Sequence, residues 1–278
     1  MNKWLNTDKD RRIFIIEDIA SKTKLSSDAI EKDWWVTAML RALFQCECAD
    51  HIVFKGGTSL SKAWNLIERF SEDIDIAIDR KFFGFERALS KKQINNLRRA
   101  SCAYISGQLK DELDKKLQEA GISGYSVFVE ETTDTTKDPQ IIEIKYDSLF
   151  GSNYIRDKVL IEIGARSLTE PSDNVQIRSI ISDNYPDASF ADDDFTVPTV
   201  VPQRTFLEKA FLLHEEFQKP AEAIRVNRMS RHIYDLEKMM DTDFAIEALN
   251  DSELYNAIVA HRSTLTKMKE VDYTTTYS

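Results

Sequence analysis

Apolar residues recur along this chain with two periods, and the points where one gives way to the other mark out its elements. Residues 8–45 follow helical spacing, broken near Leu25-Ser26-Ser27, where a serine can cap a second helix. Ile30, Trp34, Thr37, Ala38, Leu40 and Leu43-Phe44 make that second helix apolar and predict its burial against a sheet, with Glu31-Lys32-Asp33 near its start. Lys91 to Ala120 reads as one long polar-faced helix striped by Ile94, Leu97, Ile105, Leu109, Leu113 and Leu117 and stopped at Gly121. Alternation then predicts strands over Tyr125 to Glu130, Gln140 to Tyr146, Lys158 to Gly164 and Val175 to Ile180. Ser182 to Pro202 is acidic and proline-containing and reads as a solvated linker between lobes; the consecutive Asp192, Asp193 and Asp194 cannot all face one ion. Beyond Pro202 the pattern is helical, with Phe206, Ala210, Leu213 and Phe217 striping the first helix and Lys209 beside the stripe. The expectation is an α/β (α+β) fold: a mixed-sheet lobe flanked by helices over residues 1–185, its core at 51–181, followed by a helical lobe at 186–278.

Composition narrows the function classes. At 278 residues and 42% hydrophobic, the chain can hold one large or two modest cores. Cys46, Cys48 and Cys102 form neither a paired framework nor a zinc spacing, which suits a reducing cytoplasm. No signal-peptide pattern is visible, and no apolar run approaches the roughly 20 residues of a membrane helix, so no membrane partner is expected. A net charge of −10 argues against a general nucleic-acid coat. A specific RNA would need local basic patches; the candidates are Lys91-Lys92 with Arg98-Arg99, which also reads as a solvated helix face, and Arg225, Arg228 and Arg231.

The chemistry concentrates between His51 and Asp79. Ile52 to Phe54 is a short apolar strand that stops at Gly56-Gly57 after Lys55. Thr58 or Ser59 can cap a following helix whose Leu60, Ala63, Trp64 and Ile67 share a face, so amides at a helix start face the turn and offer a seat for phosphate. Alternation returns after Arg69-Phe70-Ser71: Ile74, Ile76 and Ile78 point one way, Asp73 and Asp75 the other. With α-carbons roughly 6.6 Å apart, two carboxylates can grip one or two hard cations, Mg2+ or Mn2+, bridged to the phosphates of a nucleoside triphosphate (NTP). Taken singly, a Gly-Gly pair is usually a turn and same-face aspartates are usually solvated. Their order, strand then glycine turn then helix then acidic strand, is the layout of the polymerase-β-type nucleotidyltransferases. Such a site needs a third carboxylate. Glu162, set in the apolar Val159-Leu160-Ile161-Glu162-Ile163, is preferred to Glu143 in Ile141-Ile142-Glu143-Ile144-Lys145, because a lone acid in an apolar strand must meet a metal or a partner.

The segment from Phe54 to Ile76 resembles the signature of the AbiEii/AbiGii toxin family of nucleotidyltransferases, in which a Gly-Gly-Thr-x-Leu turn (Gly56 to Leu60) leads to Arg-x-Ser-x-Asp-x-Asp (Arg69 to Asp75). The Glu31-Lys32-Asp33 helix, the acidic strand of Glu162, the Glu-Lys-x-x-x-Leu helix of Lys209 and the Arg231 to Asp235 pair are similar to further family features. Residues alone make Lys209 a snorkelling lysine and Asp235 an intrahelical ion-pair partner. The resemblance instead implies that Lys209 contacts phosphates and that Asp235 orients a basic group or hydroxyl at the cleft. Lys32 and Asp33 are assigned structural ion pairs or contacts with the catalytic lobe, and His214 and His232 packing or surface positions. The resemblance further implies a toxin of a toxin–antitoxin or phage-defence pair, with a cognate antitoxin, that transfers NMP to an RNA such as a tRNA acceptor end. Transfer to a protein or small molecule, and a non-catalytic nucleotide-binding module, remain alternatives.

Overall fold

Ile52–Lys55 (β1) and Ile74–Ile78 (β2) pair antiparallel in the middle of a seven-stranded sheet in the computed structural model, which describes residues 3–86, 89–130, 132–151, 155–167, 169–227, 229–265 and 271. The sheet also contains Tyr125–Val129 (β3), Gln140–Tyr146 (β4), Lys158–Gly164 (β5), Ser172–Ile177 (β6) and Phe195–Val200 (β7), in the order β3-β4-β5-β2-β1-β7-β6. β2 runs parallel to β5 and β1 parallel to β7, while the other neighbours are antiparallel, so the sheet is mixed as expected.

Period-two alternation gives each central strand a dry face. Ile74, Ile76 and Ile78 of β2 and Ile161 and Ile163 of β5 enter one large core with the helices Lys9–Lys22 (α1) and Ser27–Leu43 (α2). Lys91–Tyr104 (α4) runs through a wider turn at Ile105–Leu109 into Lys110–Glu119 (α5), and the predicted stripe Leu97, Ile105, Leu109, Leu113 and Leu117 is fully buried in that same core. α2 is buried nearly all round, so its acidic and basic residues must be paired internally. Glu31 accepts from Ser148 Oγ and Leu149 N at 2.9 Å, Lys32 pairs with Glu72 and donates to Arg156 O, and Asp33 pairs with Lys62 at 2.7 Å while accepting from Ile180 N at 2.8 Å. The structural role expected of Lys32 and Asp33 is therefore what the fold shows: the triplet pins three loops to the sheet.

A second apolar cluster joins Leu60 and Ile67 to Pro202–Phe217 (α7), Met229–Met239 (α8), Asp243–Asn250 (α9) and Ser252–Leu265 (α10). The buried stripe of α7 is Phe206, Leu207 and Phe211; Phe217, expected on that stripe, is 58% exposed.

Three readings of the sequence change. The glycine-turn helix (α3) is short, Gly56–Lys62, because the chain leaves it through Asn65 in the left-handed region (φ 52°) with Leu66 N donating back to Leu60 O at 2.8 Å; Trp64 and Ile67 lie beyond it. The fourth predicted strand ends three residues early, at Ile177, since Ser179 caps a further helix, Ile180–Asn184 (α6). The supposed linker holds β7, which pairs with β6 across its whole length and with β1 at Phe54 and Thr199, so the sheet continues past residue 185. Pro198 and the aspartates before it disguised this strand, and pairing with two neighbours overrides their turn preference. Asp192, Asp193 and Asp194 bind Trp34 Nε1, Lys3 and Arg178 respectively, so they do not converge.

Candidate active site

The two glycines each make room for one polar side chain. Gly56 has φ +80°, and a Cβ there would fall 1.9 Å from Asp75 Oδ2; a Cβ on Gly57 would fall 2.6 Å from Arg69 Nη2 and 3.0 Å from Ser71 Oγ. The carboxylate of Asp75 and the guanidinium of Arg69 thus lie directly against the turn. Thr58 Oγ1 donates to Asp73 O and accepts from Ser71 Oγ (2.9 Å), and Ser59 Oγ donates to Gly56 O (2.9 Å). Both side chains are buried, and the hydroxyls expected to cap the helix brace the turn from behind instead, since α3 begins at Gly56 with no side-chain cap.

Register sets the two glutamates in different places. Asp75 and Glu162 are direct Cα partners on the parallel strands β2 and β5, which sets their side chains side by side on the face opposite the main core. Asp73, two residues before Asp75, lines the same cleft of about 540 Å³. Glu143 lies one strand further out, pairs with Lys158 and with Lys145 (3.5 Å), and does not line the cleft. Burial pushes the Asp75 carboxyl above its ordinary range; Lys55 opposes this and Asp73 adds to it. Among the described residues no three acidic, histidine or cysteine side chains converge in metal-holding geometry, so the three carboxylates share a cleft without closing into a cage.

The cations of the cleft come from β1, the loop before β2, the segment after β5 and the C-terminal helical region. Asp235 is fully buried and does not line the cleft. It takes Arg69 Nε on Oδ1 and Nη2 on Oδ2, both at 2.7 Å, and pairs with Lys209 Nζ at 2.9 Å. Its position is that of a residue that orients two basic groups, as the resemblance implied, rather than one that meets substrate. Lys55, whose Nζ donates to Ser167 Oγ at 2.9 Å, lines the cleft with Gly56, Gly57, Arg69, Ser71, Lys209 and Arg231. Arg231 makes no hydrogen bond or ion pair among the described residues. Arg228 lies outside the described residues.

Several lining residues had no signal in the sequence. Asp138, just before β4, receives Arg166 Nε at 2.8 Å and Ala165 N at 3.2 Å, tying together the two loops at one end of the cleft. His261 on α10 bonds Arg166 O, and Arg262 pairs with Glu215. His232, read from sequence as packing or surface, lines the cleft with Nδ1 buried and unpartnered, and burial, with Lys209 beside it, lowers its pKa to about 4. Glu208, adjacent to Lys209, was the one legible hint. The lining holds seven cations (Lys55, Arg69, Arg166, Lys209, Arg225, Arg231, Arg262) against five carboxylates (Asp73, Asp75, Asp138, Glu162, Glu208), whereas the whole chain has 37 against 47. An anionic ligand is what such a reversal favours.

A family model described as nucleotidyl transferase AbiEii toxin, Type IV TA system, matches residues 38–276. The chain belongs to that AbiEii family. The matched span runs from the middle of α2 to beyond α10 and so includes the residues that line the cleft. Among solved structures, a presumed nucleotidyltransferase from H. pylori is similar at 14% identity and a TM-score of 0.40, covering 90% of this chain and 89% of that one. No curated protein matches. The AbiEii-family chain is thus a nucleotidyltransferase toxin of a toxin–antitoxin system, with a nucleotide as substrate and a cognate antitoxin. Among its described residues no helix is long and apolar enough to cross a membrane.

Proposed function

We propose that the cleft transfers a nucleoside monophosphate from an NTP to a hydroxyl of an RNA, with a tRNA-like acceptor end as the acceptor the family resemblance implies. The observation that carries this reading is the placement of Asp75 beside Glu162, with Asp73 on the same face, in one cleft with Lys209, Arg69 and Arg231. Asp73, Asp75 and Glu162 offer an all-oxygen donor set suited to a hard divalent cation such as Mg2+ or Mn2+. Burial, with Asp73 adding to it, raises the Asp75 pKa, a penalty on its charge that such an ion would relieve. When bound, the ion supplies charge stabilisation to the attacking and leaving oxygens.

The chain's own groups do the positioning. Lys209, fixed by Asp235, and Lys55 and Arg231 face the triphosphate, and the Gly56-Gly57 turn lets it approach the backbone. The acceptor oxygen attacks the α-phosphorus, Glu162 takes its proton, the bond to the bridging oxygen breaks and pyrophosphate leaves. Incubation with NTPs labelled at the α-phosphate and separate RNA, protein and metabolite pools tests the reading. Label on RNA, lost in Asp75→Asn, is the expected result; label on protein or metabolite alone removes the RNA acceptor. The same proposal makes growth inhibition depend on the cleft: toxicity that survives replacing Asp73 and Asp75 together would refute it.

A further inference from the structure

Glu208 lines the cleft yet has no part in the scheme above. Its side chain, on α7 one residue before Lys209, is 26% exposed. Arg204, one turn earlier and fully buried, donates Nε (2.9 Å) and Nη2 (2.8 Å) to the same oxygen, Oε1. Among the described residues Oε2 accepts no hydrogen bond. Burial opposes its charge, but Arg204, then Lys55 and Arg262, outweigh this and hold the carboxyl at about 2. It is therefore a permanent anion that can only accept. A carboxylate present merely to neutralise Arg204 has no need of cleft exposure. Lys55 lines the same cleft as Glu208 and Asp75, and its positive charge acts on both. Thr205 and Leu212, three residues before and four after it on α7, line the same cleft, as does Pro139, so the cleft that Glu208 lines also offers apolar side chains.

We propose that Glu208 is the specificity-determining residue for the nucleoside half of the substrate, its Oε2 accepting hydrogen bonds from amino or hydroxyl donors there. The assignment rests on the nucleotidyl-transfer reading. Of the donors an NTP carries there, the assignment takes two, the exocyclic amino group of cytosine, adenine or guanine and the ribose 2′-hydroxyl, and not the 3′-hydroxyl or a ring N–H. Against the base, Glu208 disfavours uracil, which presents a carbonyl in place of the amino group; against the sugar, it disfavours 2′-deoxyribose.

Calorimetric binding of the four NTPs and their 2′-deoxy counterparts with Mg2+ tests this on the wild type, Glu208→Gln and Glu208→Asp. The wild type is expected to prefer donor-bearing nucleotides on the order of ten- to a hundredfold, the range for a hydrogen bond to a charged group. In Glu208→Gln the amide oxygen can keep Arg204 while its NH2 faces the cleft, so the ranking collapses or inverts. Glu208→Asp keeps the charge beside Arg204 but withdraws the open oxygen by one methylene, and weakens the same ranking should the glutamine variant fail to fold. Loss of an amino preference identifies the base contact, loss of a ribose preference the sugar contact. A wild type that binds all eight equally, or a folded variant with an unchanged ranking, overturns the assignment. A wild type that binds no nucleotide refutes the transfer reading instead.

Discussion

Asp235 joins the two halves of the cleft, and removing it should separate them. Its carboxylate is fully buried and holds Arg69 from the loop before β2 and Lys209 from α7; the two partners' side chains are only 18% and 8% exposed. Replacing one member of a buried ion pair typically costs about 3–5 kcal/mol, because the charge left behind is neither solvated nor paired. Here two cations are left, so Asp235→Ala should lie at the upper end. Asp235→Asn keeps the volume and part of the hydrogen bonding and should cost about 2–3 kcal/mol. Chemical denaturation measures both, and a double-mutant cycle isolates the contact: in a Lys209→Met background one stranded cation is gone, and Asp235→Asn should cost measurably less. The pH dependence supplies a third reading. Burial opposes the charge on Asp235, but Arg69 and Lys209 outweigh it and depress the folded pKa. The associated stability is therefore complete above the ordinary carboxyl value of about 3.9 and is lost as pH falls through the folded pKa, a component that the asparagine variant lacks. Transfer activity should fall in both variants, since Arg69 and Lys209 lose their orientation. An Asp235→Ala protein within about 0.5 kcal/mol of wild type, where surface substitutions fall, would show that this carboxylate does not hold the cleft together.

The turn and the acidic face give further tests. Gly56→Ala forces a side chain into the left-handed region and onto the Asp75 carboxylate, and should abolish transfer and destabilise by about 2–4 kcal/mol in the same denaturation assay. Gly57→Ala meets the far end of Arg69, so it should weaken nucleotide binding in a titration with a smaller loss of stability. Asp75→Asn should abolish transfer while raising the melting temperature, because the folded state disfavours that charge; a lowered melting temperature would contradict the burial account. With a folded pKa of about 4, His232 stays neutral while the unfolded chain takes up a proton below about 6.5. Stability is then full above that value and lost as pH falls towards 4, a loss that His232→Asn should reduce in pH-dependent melting.

Where the site could be read from sequence, the reason was local. Gly56 to Asp75 is a continuous run, and its spacing alone fixes which side chains share a face. β4 and β5 were legible to the residue because both are internal strands with strict alternation. What escaped depends on pairings between distant segments. The apolar strand around Glu162 favoured it over Glu143, but its place beside Asp75 was not legible, because that follows from the alignment of β5 with β2. β7 was hidden because its evidence lies in β6 and β1. Asp138, Arg166, and the adjacent His261 and Arg262 come from three separate segments, the loop before β4, the turn after β5 and α10, and nothing in their own neighbourhoods marks them as members of one cleft.

The acidic composition and the polyanionic substrate stop being at odds once the partners of the cleft cations are considered. Arg69 and Lys209 are held by Asp235, Arg166 by Asp138, Arg225 by Glu216 and Arg262 by Glu215. Asp235, Glu215 and Glu216 are buried and stand outside the cleft lining, so they fix the cations from behind without facing a ligand. Part of the excess of acid is thus consumed in fixing basic groups before any nucleotide arrives. Groups fixed in this way need no reorganisation when charge develops on the phosphates, which is where electrostatic catalysis gains most. Lys55 is held by Ser167 Oγ and by no acid, and Arg231 is the lining cation with neither a hydrogen bond nor an ion pair among the described residues. It is therefore the cleft cation whose position nucleotide binding should change most, and Arg231→Gln should weaken affinity without the loss of stability expected at Asp235.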